Sequence, residues 1–353
     1  MENTDMNIKT ARQHLLDGQV IPAMPLTLEE DGTWSEKYQR ALTRYYLDAG
    51  AGGLAVGVHS TQFEIREPQH QIYRPILQLC SGEIDGWLGG GRPFLKIAGI
   101  CGDTKQASAE AEIALNSGYH AGLLSMTAMK GATLVEKIAH CRALADVIPV
   151  IGFYLQPTIG GCIFPYGFWR ELAEIENVIG IKIAPFDRYA TLDVVRAVID
   201  SGRDDMVLYT GNDDNIINDL LTPYEFNGTR RRIAGGLLGQ WAVWTQRAVT
   251  MLEEIKESRR SNDGRLDGKW LTRNAQLTDA NGVIFDAANQ FKGCVPGIME
   301  VLRRQGLAPS IRCLDPNEVL SPGQAGEIDR ITAAYPELQD GDFVRENLTR
   351  WLG

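Results

Sequence analysis

Val178-Ile179-Gly180-Ile181-Lys182-Ile183-Ala184 alternates bulky β-branched residues with glycine, lysine and alanine, which is the composition of a short buried strand. Helix-length amphipathic pieces flank it at 166–175 and 190–200. Further apolar runs lie beyond them, at 148–155 upstream and 206–211 downstream. The same order continues outward. Strand-like runs at 120–126, 93–101, 53–59 and 20–28 precede helix patterns near 132–145, 104–117, 69–80 and 35–49, the last with Ser35 as its capping residue. Downstream, a helix near 214–221 leads to a glycine-rich run at 232–238. Eight strand candidates separated by helices predict a closed α/β (β/α)8 barrel, the TIM-barrel architecture, over residues 18–255. An open doubly wound sheet is the competing architecture. It calls for a glycine-rich nucleotide loop after the first strand, and Ala23-Met24-Pro25-Leu26-Thr27 is no such loop.

Residues 256–353 read as a C-terminal helical extension. A long helix from 240 to about 259 leads into the polar break Ser261-Asn262-Asp263-Gly264, with helices expected at 283–306 and 322–334 and loops at 261–282 and 308–322.

A 44% hydrophobic content over 353 residues supplies a sizeable core. The balance of 35 basic against 45 acidic side chains, net −10, argues against broad nucleic-acid or anionic-membrane binding but leaves room for a small anion held by a few aimed donors. Six cysteines, at 80, 101, 141, 162, 294 and 313, form no CxxC pair, which fits reduced thiols in a cytoplasmic protein. No signal segment or membrane-length apolar stretch is expected, so the sequons at Asn227 and Asn347 read as accidental. With five histidines and no His/carboxylate cluster, a metal-dependent aldolase has no visible ligand set; Gly89-Gly90-Gly91 lacks a phosphate loop's lysine spacing. No cofactor is expected.

Period-two geometry puts Ile179, Ile181 and Ile183 on one face and Gly180, Lys182 and Ala184 on the other. An inward Lys182 between small residues loses hydration, which lowers its pKa and frees an amine to condense with a ketone or keto acid. A structural lysine paired with a carboxylate is the alternative. On the preceding strand Gly152 and Tyr154 share a face opposite Ile151 and Phe153, and Tyr154 ends that strand where a barrel's chemistry sits. Its hydroxyl could relay a proton beside the imine, or simply pack. Gly211, Asn212, Gly235 and Gly236 on the last two strands are candidate substrate contacts; Asp213, Asp214, His59 and Gly239 are weaker ones, with helix capping or packing as the alternatives.

In order along the chain, the segments around Tyr154-Leu155-Gln156-Pro157, Gly180-Ile181-Lys182-Ile183-Ala184, 207–214 and 233–240 resemble the dihydrodipicolinate synthase and N-acetylneuraminate lyase family of Schiff-base barrels, over roughly 20–255. The resemblance implies that Lys182 is the imine nucleophile and Tyr154 the proton relay. It also matches Ser60 and Thr61 to the family's hydroxyl residues, which bind a substrate carboxylate or support the tyrosine, with ordinary loop capping as the alternative. It further implies a homodimer or dimer-of-dimers homotetramer acting on pyruvate or a related 2-oxo acid by reversible aldol cleavage or condensation. Three departures stand out: Gln62 or Phe63 replaces an expected glycine, Met129 stands nearest to the synthase's relay tyrosine, and no arginine follows Gln156-Pro157. They argue against the lysine-biosynthetic reaction itself and for another lyase, aldolase or dehydratase. A Schiff-base dehydratase of a hydroxylated sugar acid and a barrel repurposed for binding or assembly remain the alternatives.

Overall fold

Short apolar runs bounded by glycine and turn residues become the strands β1 (Val20–Pro22), β2 (Gly53–Val56), β3 (Leu95–Ile100), β4 (Ala121–Leu124), β5 (Val150–Tyr154), β6 (Val178–Ile183) and β7 (Val207–Thr210). An antiparallel hairpin, β8 (Tyr224–Phe226) with β9 (Thr229–Arg231), intervenes before β10 (Gly235–Leu238). This computed structural model describes residues 7–261 and 265–353.

Apart from the hairpin, the strands form one parallel sheet in the order β1-β10-β7-β6-β5-β4-β3-β2. The ring closes where the Met24 N–H donates to the Ala55 carbonyl at 2.8 Å and Ala23 bridges Ala55. Closure leaves every strand a neighbour on both sides, so the barrel prediction holds and the open-sheet alternative falls. Observed strands are shorter than the apolar runs: of 20–28 only Val20–Pro22 is continuous strand, because the prolines at 22 and 25 have no N–H to give to a ladder.

Alternation sorts the core into two shells. Ile21, Ile97, Leu123, Ile151, Phe153 and Leu237 fill the barrel interior. Val56, Leu124, Val150, Tyr154, Ile181 and Ile183 meet the helix layer. Helix starts carry their own signals: Asp103 accepts from the Gln106 N–H and Asp187 from the Ala190 N–H, while Thr133 and Glu136 form a reciprocal capping box. Ser35 does stand at the N-cap of Glu36–Asp48, yet its hydroxyl donates to Glu29 and caps no helix N–H. Helix Ile8–Leu16, N-capped by Asn7, sits at the N-terminal mouth, where the Tyr209 hydroxyl reaches the Leu15 carbonyl at 2.9 Å.

The extension departs most from expectation. Much of 261–282, expected as loop, belongs to helix Lys269–Ile284. Asn262, Asp263 and Gly264 of the expected polar break lie outside the described residues. The expected helix at 283–306 is interrupted, its second half being Cys294–Arg304, and Gln324–Ala334 is followed by a further helix, Gly341–Leu352. Lys269–Ile284 hides in the sequence because two of its buried positions are Asn274 and Asn281. Those amides dock it on the segment after β7: Asn281 donates to the Asp213 carbonyl of the loop at 2.7 Å, and Asn274 accepts from the Asn218 N–H of the helix Ile216–Leu221 at 3.2 Å. No helix among the described residues is long and apolar enough to cross a membrane.

Candidate active site

A bulge sets the orientation of Lys182. Val150 pairs with Val178, but Ile151 pairs with Gly180, so β6 carries one extra residue, Ile179. Ile179 therefore joins the interior shell instead of lying with Ile181 and Ile183 against the helices. Above the bulge, Phe153 pairs with Lys182 and Tyr154 with Ile183. Cross-strand partners share a face, so Lys182 and Phe153 both point inward, and the ammonium lies 4.3 Å from the Phe153 ring centroid.

Lys182 is buried, 7% exposed, in a pocket at the C-terminal end of the strands. Counted out to its solvent-facing mouth the pocket holds ≈ 630 Å³. The lysine fits because residue 211 is glycine: a Cβ there would stand 2.7 Å from both the Lys182 Cε and the Ala184 Cβ. Burial pushes the lysine's pKa down to about 8, against the raising effect of Asp213. Burial likewise pushes Asp213 up to about 7, against the pull of Lys182 and of the Gln240 N–H that its carboxylate accepts at 3.2 Å. His59, also lining the pocket, is pushed down to about 4 by burial and then by the lysine's charge, so it is a neutral imidazole at pH 7. An amine, a carboxyl group and an imidazole thus converge, the first two titrating close to neutrality, the range that proton transfer requires.

Other candidates fall on both sides of the barrel wall. Ser60 lines the pocket, though its hydroxyl also reaches the Ala23 carbonyl at 2.9 Å and the Met24 carbonyl at 3.1 Å. Thr61 is fully buried behind it. Its hydroxyl donates to the Met24 carbonyl at 2.6 Å and accepts from the Gly57 N–H at 2.9 Å, bracing the loop. Gly211 lines the pocket, whereas Asn212 is buried outside it, donating to Asp219 at 2.8 Å and accepting from the Phe186 N–H at 3.0 Å. Gly235 and Gly236 also stand away from the pocket. A Cβ on the first would strike the Gln19 carbonyl at 2.4 Å and on the second the Trp241 ring at 2.7 Å, so both relieve crowding. Gly239, one turn further along, does line it.

Tyr154 is the clearest correction. It faces the helix layer, packed edge-to-face on Phe164 and tilted against Trp169 with ring centroids 5.6 and 5.0 Å away, and its hydroxyl accepts from the Phe164 N–H at 3.4 Å. The sequence pattern pairs Gly152 with Tyr154 correctly but assigns the wrong face to the pair. An aromatic stands at both 153 and 154, so period two alone gives no sign of which is inward. Sequence reasoning also missed Phe285, Phe291, Cys294 and Ile298, which the extension brings to the pocket from more than 100 residues beyond Lys182. Nothing local marks them. Asp213 had a signal, the Asn212-Asp213-Asp214 run after β7, but its neighbours looked equally good. Among the described residues lining the pocket none is arginine, and none of the described residues forms a cluster of three or more His, Cys, Asp or Glu that could hold a metal ion.

Comparison with known proteins places this geometry in context. The model of the dihydrodipicolinate synthetase family matches residues 17–223. A 4-hydroxy-tetrahydrodipicolinate synthase of Ligilactobacillus salivarius is 24% identical over 210 residues, covering 59% of this chain and 66% of the relative, so the match spans just under two thirds of that relative's length. Among solved structures, CdNal from Clostridium difficile in complex with mannosamine superposes with a TM-score of 0.71 at 17% identity, covering 90% of this chain and 99% of that one. A prophage protein of the dihydrodipicolinic acid synthase family from E. coli K12, solved with pyruvate, gives 0.70 at 17% identity, covering 90% and 97%. At these identities the structural likeness is one of fold.

Proposed function

The chain belongs to the dihydrodipicolinate synthetase family, and on that premise we propose that it is a Schiff-base lyase that cleaves or forms a carbon–carbon bond at C3, the carbon next to the ketone of pyruvate or a related 2-oxo acid. The observation that carries this reading is the inward, desolvated Lys182, whose pKa is held at about 8 in a pocket with a neighbouring carboxyl group. The pyruvate of the E. coli structure supports the choice of oxo acid by kinship alone.

The neutral amine of Lys182 attacks C2 of the oxo acid, the carbinolamine loses water, and a protonated imine results. In the cleavage direction a base takes the proton of the C4 hydroxyl. The C3–C4 pair then flows into the imine, giving an enamine and a free aldehyde. A proton returned to C3 and hydrolysis release pyruvate and the lysine. Asp213 is the base: it lines the same pocket and its carboxyl titrates near 7. His59, neutral and buried, is a hydrogen-bonding partner for the substrate. Ser60 and nearby backbone N–H groups orient the carboxylate. Tyr154, turned to the helix layer, takes no proton here. The homodimer or dimer of dimers implied by the resemblance remains part of the proposal, checked by sedimentation.

Borohydride reduction in the presence of pyruvate, followed by intact-mass analysis, tests the reading. A stable adduct on the wild type and none on Lys182→Ala is expected. Turnover without any trapped adduct would sink it. Product analysis with hydroxylated oxo acids separates aldol cleavage from loss of water.

A further inference from the structure

Lys182, Asp213 and His59 share the pocket, and the charge of Lys182 bears on both of the others. Apart from Ser60, Gln156 and Cys294, the rest of the lining is apolar. Ile159 and Phe186 come from the barrel loops and Phe285, Phe291 and Ile298 from the C-terminal extension. Phe186 and Phe291 meet edge to face, ring centroids 5.6 Å apart and planes at 71°, so one barrel loop and the extension touch across the pocket.

Both rings are held in place by their backbones. Phe186 has φ 55° and Phe291 φ 66°, in the left-handed region that a residue with a β-carbon adopts at a cost, and so only where its surroundings impose it. Asn212 imposes it on the first through the Phe186 N–H. For the second, Asp286 binds the segment's two ends, accepting from the Gly293 N–H at 3.0 Å and from the Asn289 amide at 2.6 Å. The Ser321 hydroxyl anchors the same carboxylate at 2.5 Å.

We infer that the carbonyl fragment released or accepted beside the oxo acid is apolar and of aromatic size, and that the C-terminal extension sets this preference through Phe285, Phe291 and Ile298. The inference rests on the imine reading of Lys182. A polyhydroxylated fragment would surrender water from each hydroxyl to a wall whose one side-chain amide, Gln156, is already bonded to Thr158 and Ile159 and whose remaining polar atom is the weakly hydrogen-bonding thiol of Cys294, a penalty that an aryl group does not meet. Aryl groups instead gain edge-to-face contact with rings already fixed in position.

Calorimetric binding to the wild-type protein tests it, using two 2-hydroxy acids that have no ketone and so form no imine: 2,4-dihydroxy-4-phenylbutanoate and 2,4,5,6-tetrahydroxyhexanoate. The phenyl acid is expected to bind roughly tenfold more tightly, the scale at which an apolar pocket discriminates. Phe291→Ser should bring the ratio close to one, and Phe291→Leu should keep most of it, which separates lost apolar contact from a damaged fold. Equal or tighter binding of the tetrahydroxy acid overturns the inference. An unchanged ratio in Phe291→Ser overturns the extension's part in it. Borohydride trapping with pyruvate reports on the imine separately, so failure of one reading is distinguishable from failure of the other.

Discussion

Phe153, and not Tyr154, is the cross-strand partner of Lys182, with the lysine nitrogen 4.3 Å from its ring centroid. The family's tyrosine strand is legible in the sequence, yet the side chain that meets the lysine has no hydroxyl. On the imine mechanism proposed above, proton transfer would fall to other groups, and Asp213 lines the same pocket.

Asp213→Asn should lower kcat by about 10²–10⁴-fold, the usual contribution of a general base, while pyruvate trapping on Lys182 persists. Tyr154→Phe should change kcat/KM less than about threefold and cost about 1 kcal/mol or less, because it loses only the long hydrogen bond from Phe164. Steady-state kinetics and denaturant titration check both. A large kcat loss in Tyr154→Phe would restore the relay role.

The rate of imine trapping should climb with pH and level off near 8, because the nucleophile is the unprotonated amine and burial holds its pKa at about 8. Below that point the neutral fraction falls about tenfold per pH unit. A rate that keeps climbing toward pH 10 would show an ordinary solvated lysine.

Burying a charged lysine costs stability. Lys182→Met should accordingly unfold at the same or a higher temperature than wild type at pH 7, while losing all trapping. The sign follows from proton counting. Between about 8 and 10.5 the unfolded lysine holds a proton that the folded one has lost, so wild-type stability rises with pH in that window and the variant's advantage shrinks. Calorimetry at pH 7 and pH 10 measures the difference; a lower melting temperature for the variant at pH 7 would mark Lys182 as structural.

Gly211→Ala should displace Lys182, since its methyl would stand 2.7 Å from the lysine Cε and from Ala184. Activity should drop by at least tenfold, with about 1–3 kcal/mol of destabilisation from overpacking. Turnover close to wild type would show that the lysine has room to move.

The barrel was legible in the sequence because each unit carries local information: an apolar run, a turn, and a helix with its cap. Asp103, Thr133 and Asp187 start helices by bonds within their own first turns. The position of Lys182 beside glycine and alanine was legible for the same reason, since one strand's alternation contains it. Ser60 and Gly211 reached the pocket; Thr61, Asn212, Gly235 and Gly236 serve the scaffold, because their partners are backbone and side chains that no spacing rule points to.

Sequence alone therefore determined the eight-strand repeat and the shared face of Lys182 and Ala184, both consequences of period-two and period-3.6 patterns read over a few residues. Tertiary structure alone decided which aromatic of β5 faces that lysine, because the answer depends on how a bulge in β6 shifts the register of its neighbour. It alone also decided that Phe285 and Phe291 line the pocket, because the helix that precedes them is fixed by buried amides bonded to the loop and the helix that follow β7. Burial and register are properties of the assembled chain, and a single strand cannot specify them.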